Sequence, residues 1–243
     1  MEERLDKILL QRGLVSSRVR AEQLIREVGV KVNGKLITKT GKKFPLDCTI
    51  EMIAEENPWV SRGAYKLLEA IEQFKPEIKD KTFLDIGSST GGFTEVLLHH
   101  GANKVFAIDV GSNQLHSKLR EDNRVVSLEK THVRDLTSHL IPEVCDGCVI
   151  DVSFISLEKV FPFLHPFLKP GAWVIALLKP QFELGKENIG KGGIVKNKTL
   201  YPELIERTAQ MAGLNNLKFN HQIPSPILGG DGNEEFLLYF SRI

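Results

Sequence analysis

The run Asp85-Ile86-Gly87-Ser88-Ser89-Thr90-Gly91-Gly92-Phe93 places three glycines and a carboxylate between an apolar strand and a helix. Glycines at such a junction let backbone N–H groups approach a ligand closely. The spacing is G-x-x-x-G-G rather than the dinucleotide fingerprint G-x-G-x-x-G. It therefore favours S-adenosylmethionine, which has no pyrophosphate to seat on a helix N-terminus. That cofactor needs backbone contacts for its methionine portion and a carboxylate for its ribose hydroxyls. Asp109, ending the next strand, is placed for the ribose. Asp135, after the third strand, is placed for the adenine amino group. The cofactor set is then Asp85, Gly87, Ser88, Ser89, Thr90, Gly91, Gly92, Phe93, Asp109, Asp135 and Asp151, with Phe93 reading more as core than as cofactor wall. A tight strand–helix turn without a ligand would explain the glycines alone, but not two carboxylates at neighbouring strand ends.

Two lysines and two more carboxylates sit where chemistry would occur. Asp151 ends the strand Cys148–Ile150, and Lys179 ends Trp173–Leu178, so both reach the sheet edge that holds the cofactor loop. Glu235 opens the last strand, and Lys66 starts the helix ahead of the first one. Each has a plain alternative. Lys66 suits a solvated helix face, Asp151 a helix cap, Lys179 a strand-end charge and Glu235 an exposed edge.

The elements that must position these residues alternate. Strands are expected at 83–86, 105–108, 125–128, 148–150 and 173–178, and helices at 61–74, 92–100, 115–119, 157–168 and 202–212. Apolar strands separated by helices predict a parallel sheet covered on both faces. The strand Phe236–Phe240 follows a non-helical loop and is expected to pair antiparallel at one side of that sheet. Cys145-Asp146-Gly147-Cys148 matches C-x-x-C, but no second pair or suitably spaced histidine accompanies it. It reads as buried strand rather than as a redox or metal motif.

Residues 1–50 form a separate pattern. Leu5, Ile8 and Leu9 begin a helix that Gly13 ends. Ser16-Ser17 cap a second, with Ala21, Leu24, Ile25 and Val28 on one face. Val30 and Val32 then lead through Asn33-Gly34 to Leu36-Ile37, a hairpin signature. Between Arg12 and Lys43 nine basic residues oppose Glu22 and Glu27, a local charge of +7 on a chain whose net charge is +1. Such a block points to a polyanion, most plausibly nucleic acid, with a solvated charged face as the alternative. The domain plan is 1–54, a linker at 55–60 containing Pro58, and 61–243.

The sequence from Arg4-Leu5-Asp6-Lys7 through Gly34 resembles the αL RNA-binding domain first seen in the fourth small-subunit ribosomal protein. That resemblance implies RNA contact through the second helix and hairpin, with Arg4, Arg18, Arg20, Arg26, Lys31 and Lys35 as candidate phosphate contacts and Arg62 beside them. The remainder resembles the RrmJ/FtsJ-type ribose 2′-O-methyltransferases. Ser61-Arg62-Gly63-Ala64-Tyr65-Lys66-Leu67 matches their first-lysine motif, and Asp151, Lys179 and Glu235 follow in order. Glu234 is adjacent, but the spacing Gly-Asn-x-Glu-Phe selects Glu235. The fusion, with Asp151–Leu157, Lys179–Glu183 and Gly190–Gly193 as they stand, resembles TlyA-type rRNA cytidine 2′-O-methyltransferases. It implies a Rossmann-like, S-adenosylmethionine-dependent α/β methyltransferase fold with a small N-terminal α+β domain, a Lys66-Asp151-Lys179-Glu235 tetrad, and ribosomal RNA as partner. The short N-terminus leans to the large subunit.

In that chemistry a ribose hydroxyl must lose its proton or be held in line with the sulfonium methyl. Lys179 is the candidate to meet it. A lysine acts as base only when desolvation or a nearby cation depresses its pKa, and Lys66 could supply the cation. Asp151 and Glu235 would fix the ammonium groups while opposing that depression, so base and positioning roles both stay open. The glycine-rich, basic segment 185–198 either closes over RNA or is an ordinary surface loop. A non-catalytic RNA-binding factor and a haemolysin are the competing readings. The longest apolar run, Ala172–Leu178, is too short to span a bilayer, and the acidic N-terminus lacks a signal-peptide pattern, so a cytoplasmic location is expected.

Overall fold

The computed structural model describes residues 2–53 and 57–243, without the side chains of Gln23 and Glu27. Residues 55 and 56 of the expected linker lie outside the described residues. The chain divides into two compact units, Met1–Pro58 and Trp59–Ile243.

In the first unit, β1 (Glu2–Arg4) leads into α1 (Leu5–Gln11), which buries Leu5, Ile8 and Leu9. The second helix, α2 (Arg18–Glu27), is capped by Ser17, whose hydroxyl accepts from Arg20 N at 3.2 Å. Ala21, Leu24 and Ile25 face the core, whereas Val28, expected on the same stripe, is exposed at the helix end. The hairpin forms as β2 (Val30–Val32) and β3 (Lys35–Ile37). Asn33 and Gly34 turn it with φ of 50° and 74°, the left-handed pair that a type I′ turn requires. Two further short strands were not evident in the sequence. β4 (Lys43–Pro45) pairs with β1, and β5 (Ile50–Met52) pairs with β2.

The second unit opens with α3 (Gly63–Phe74) and β6 (Thr82–Ile86), followed by α4 (Gly92–His99), β7 (Lys104–Ile108), the single turn α5 (Ser117–Arg120) and β8 (Val125–Leu128). Then come β9 (Cys145–Ile150), β10 (Leu168–Leu178), the turn α6 (Pro180–Glu183), α7 (Tyr201–Gly213), β11 (Leu217–Pro224) and β12 (Phe236–Arg242). The sheet order is β11-β12-β10-β9-β6-β7-β8. Strands β8, β7, β6, β9 and β10 are parallel, and β12 runs antiparallel to β10. Strand side chains alternate between two cores. Phe83, Val149 and Ile175 pack with Leu67 and Leu97 on one face, while Leu84, Ile150 and Val174 pack with Leu157 and Leu204 on the other.

The last strand pairs antiparallel at one side of the parallel strands, as expected, and β11 adds outside it. One expectation is corrected. The helix expected over 157–168 is instead three 3₁₀ turns, Leu157–Lys159, Phe161–Phe163 and His165–Phe167. Pro162 and Pro166 remove the donors an α-helix would use and clash with the preceding turn. Cys145 and Cys148 are free and buried on β9. Burial pushes the Cys145 thiol up to about 12 and raises that of Cys148 well above its ordinary value. Neither thiol is activated for redox chemistry. Among the described residues no cluster of His, Cys, Asp or Glu could hold a metal ion.

Candidate active site

The carboxyl ends of β6, β7, β9 and β10 converge on two adjoining cavities. One, of about 300 Å³, is lined by Ser89, Asp109, Gln114, His132, Val133 and Phe154 among others. The second, of about 250 Å³, is lined by residues of the 85–93 loop together with Lys66, Asp151, Ser153 and Lys179. Gly87, Ser89, Asp151 and Ser153 belong to both walls.

The loop between β6 and α4 is shaped by contact with β9. Gly87 has φ 83°, and a Cβ there would lie 2.9 Å from the Asp151 carbonyl carbon. Only glycine lets the loop rest on that backbone. Asp85 is wholly buried at the end of β6. Its Oδ2 accepts from Thr94 Oγ1 at 2.6 Å, and its Oδ1 has no partner. Burial pushes the carboxyl up to about 7; the Thr94 bond opposes the shift, and the Asp151 charge adds to it. Asp109 accepts from Ser89 N and Gly111 N, each at 2.7 Å and each on a different oxygen. A carboxylate oxygen accepts more than one bond, so both remain available to hydroxyls in the larger cavity.

Ser88, Ser89, Thr90 and Gly92 line the smaller cavity, whereas Gly91 does not. Phe93 touches that cavity but is 3% exposed and packed in the core, as its type suggested. Asp135 is a correction. It ends a 3₁₀ turn with its side chain in solvent, 3.6 Å from Arg134, and lines neither cavity. Thr131, His132 and Val133, which precede it, form the wall instead.

The four tetrad candidates meet as two ion pairs. Lys66 Nζ lies 2.6 Å from Glu235 Oε2, with side chains 10% and 2% exposed. Lys179 Nζ lies 2.6 Å from Asp151 Oδ1, off hydrogen-bond alignment, and donates to Ser153 Oγ at 2.9 Å. Lys66 is buried with Ala64, Leu67 and Ala70 on α3 rather than solvated on a polar face. None of the four matches its plain alternative.

Several supporting residues were not singled out in the sequence, although some lie within its motifs. Ser153 and Thr94 bond the lysine and the buried carboxyl. Glu183 accepts from Ser156 Oγ at 2.6 Å and from Leu157 N at 2.8 Å, tying the turn after Lys179 to the loop after Asp151. Asn233 pins the glycine-rich segment. Its Oδ1 accepts from Val195 N at 3.0 Å and its Nδ2 donates to Gly193 O at 2.9 Å. The nearby Glu234 pairs with Lys198 at 2.5 Å, leaving Glu235 as the member of that doublet that reaches the tetrad.

The first unit sorts its cations differently from a simple charge count. Arg4 and Arg18, both partly exposed, converge on the buried Asp6 at 2.9 and 2.5 Å. Burial would raise the Asp6 carboxyl, but bonds from Arg4 and Arg18 outweigh it and hold it at about 2. Lys31 pairs with Glu51 at 2.8 Å. Arg20 is half-buried, while Arg26 and Lys35, and Arg62 in the second unit, are exposed.

Comparison with known proteins gives the geometry a context. An S4 domain model matches residues 3–45, and an FtsJ-like methyltransferase model matches residues 59–242. "Putative rRNA methyltransferase YqxC" of Bacillus subtilis is 41% identical, covering 98% of this chain and 85% of that protein. "16S/23S rRNA (cytidine-2'-O)-methyltransferase TlyA" of Mycobacterium tuberculosis is 40% identical, covering 97% of this chain and 88% of its own. A solved structure titled "Putative hemolysin from Streptococcus thermophilus" superposes with a TM-score of 0.78 at 38% identity, over 99% of this chain and 88% of that one. By sequence, the chain belongs to the FtsJ-like methyltransferase family and carries an S4 domain ahead of the methyltransferase domain.

Proposed function

We propose that this chain methylates a ribose 2′-hydroxyl of ribosomal RNA, at a cytidine of the large subunit, with S-adenosylmethionine as methyl donor. The observation that carries the reading is the pair of buried lysine–carboxylate contacts on one cavity wall, directly against the glycine loop. The residues fit the cofactor. Asp85 Oδ1 is a buried acceptor without a partner, Gly87 leaves the loop room against Asp151, and Asp109 keeps acceptor capacity for ribose hydroxyls.

When bound, S-adenosylmethionine supplies an electrophilic sulfonium methyl. The chain's own task is to hold a weak nucleophile in line and steady the charge that develops on it. Lys179, held by Asp151 and Ser153, presents N–H groups to an acceptor hydroxyl in the cavity. Lys66, held by Glu235, brings a second fixed positive charge to the same cavity. Exposed Arg26 and Lys35 of the first unit offer phosphate contacts that position the RNA without reading its sequence. No helix among the described residues is long and apolar enough to cross a membrane, and a cytoplasmic site of action follows from the substrate.

The test is mass spectrometry of ribosomal RNA from a deletion strain, before and after incubation with the protein and S-adenosylmethionine. One recovered ribose methylation is expected, lost in Lys179→Ala while RNA binding survives. No recovered methylation would sink the reading. So would dose-dependent liposome leakage, independent of S-adenosylmethionine, with no methyl transfer.

A further inference from the structure

The loop Asp151–Leu157 is fixed more firmly than a connection needs to be. At its start, Asp151 N donates to Ile86 O at 2.9 Å. At its end, Glu183 accepts from Ser156 Oγ and Leu157 N. Between them Phe154 takes φ 65°, a left-handed conformation that a non-glycine residue rarely adopts. Its ring lies 4.9 Å from that of Phe182. A strained residue held from both sides indicates that its neighbour's position is being fixed. That neighbour is Ser153.

Ser153 Oγ accepts from Lys179 Nζ at 2.9 Å, and Ser153 borders both cavities. An ammonium has three N–H donors that rotate freely about the last carbon–nitrogen bond. The Asp151 contact is close but misaligned, so it anchors charge without fixing rotation. The aligned bond to Ser153 does fix it. We propose that Ser153 is a positioning residue for methyl transfer, setting the direction in which the remaining Lys179 N–H groups face the acceptor hydroxyl. This role rests on the function proposed above. It is distinct from that of Asp151, which supplies countercharge, and it adds a neutral fifth member to the four charged ones.

The test uses the full chain with Ser153→Ala and Ser153→Thr, an rRNA substrate and S-adenosylmethionine, together with calorimetric titration of S-adenosylhomocysteine. Removing one bond to a charged group is expected to lower kcat about ten- to hundredfold in Ser153→Ala. KM for RNA and affinity for S-adenosylhomocysteine should stay within about twofold, as expected of an interaction exerted in the transition state. Ser153→Thr keeps the hydroxyl and should return kcat to within about threefold of the parent, by the same reasoning. Unchanged kcat in Ser153→Ala overturns the proposal. So does a fall in S-adenosylhomocysteine affinity that accounts for the rate loss, or a threonine variant as slow as the alanine one. Absence of ribose methylation by the parent chain would instead reject the underlying functional reading, and this role with it.

Discussion

Removing Glu235 should destabilise the methyltransferase domain through the lysine it leaves behind. Lys66 and Glu235 touch at 2.6 Å, and their side chains are only 10% and 2% exposed. The ammonium therefore has little water to replace its partner. Breaking a buried pair from one side costs about 3–5 kcal/mol, because the remaining charge is uncompensated. For a domain of this size each kcal/mol moves the melting temperature by about 2–4 °C, so Glu235→Ala should melt about 6–20 °C lower. Replacing both partners by apolar groups of similar volume, in Lys66→Met/Glu235→Leu, removes the stranded charge. It should recover most of that loss, because matched apolar replacement of a buried pair is often neutral. Differential scanning calorimetry of parent, both single variants and the double variant closes the cycle, and neither single nor double variant should transfer methyl. A Glu235→Ala variant melting within about 2 °C of the parent, less than 1 kcal/mol on this scale, would refute the reasoning. It would mean that Lys66 finds solvent within the folded domain. A double variant no better than the single one would refute it equally, since the loss would then come from packing.

In the N-terminal unit, Asp6 is held at about 2 against an ordinary 3.8, so the folded state binds its proton more weakly than the unfolded one. Its contribution of about 2.5 kcal/mol is present above the ordinary value and is lost as pH falls through about 2. Calorimetry of Asp6→Asn should therefore show a wide gap from the parent at pH 6 that narrows toward pH 2, and a constant gap would reject the linkage. Gly87→Ala forces a side chain into φ 83° and against the Asp151 backbone. It should weaken S-adenosylhomocysteine binding at least tenfold, roughly the effect of 1.4 kcal/mol of such strain, as read by calorimetric titration. Asp85, pushed up to about 7, should lose its proton when a cationic ligand group meets its free oxygen. Apparent affinity for S-adenosylhomocysteine should then rise from pH 6 to pH 8 in the parent and stay flat in Asp85→Asn.

What the sequence made legible follows from which forces are local. Lys179 and Asp151 could be placed because each follows a continuous apolar run, and the ends of parallel strands share one edge of the sheet. The bond of Lys179 to Ser153, and the pairing of Lys66 with a carboxylate 169 residues away, depend on distances that spacing does not encode. The segment 157–168 misleads for a related reason. Leu157, Val160, Phe161, Leu164, Phe167 and Leu168 recur with helical spacing, and all are buried. The apolar stripe was therefore real. Two prolines changed only the backbone that presents it, to 3₁₀ turns. β11 escaped because Leu217–Pro224 mixes Lys218, Asn220, His221 and Gln222 among few apolar residues, as an outer strand with little to bury can.

The same distinction bears on charge. The counted basic residues fall within the S4 domain, yet one of them, Arg18, is taken up together with Arg4 by a single buried aspartate. Asp6 stands outside the stretch that was counted, so its effect was invisible to the sum. In the catalytic domain, pairing runs the other way. Lys66 and Lys179 each carry a carboxylate partner, so the tetrad brings no net charge to the cavity it lines. On the function proposed above, an acceptor hydroxyl entering it would meet oriented N–H groups rather than a bare excess of positive charge. Orientation is therefore the property to be protected: Ser153 bonds the Lys179 ammonium directly, while the Glu183 and Asn233 contacts fix the surrounding loops.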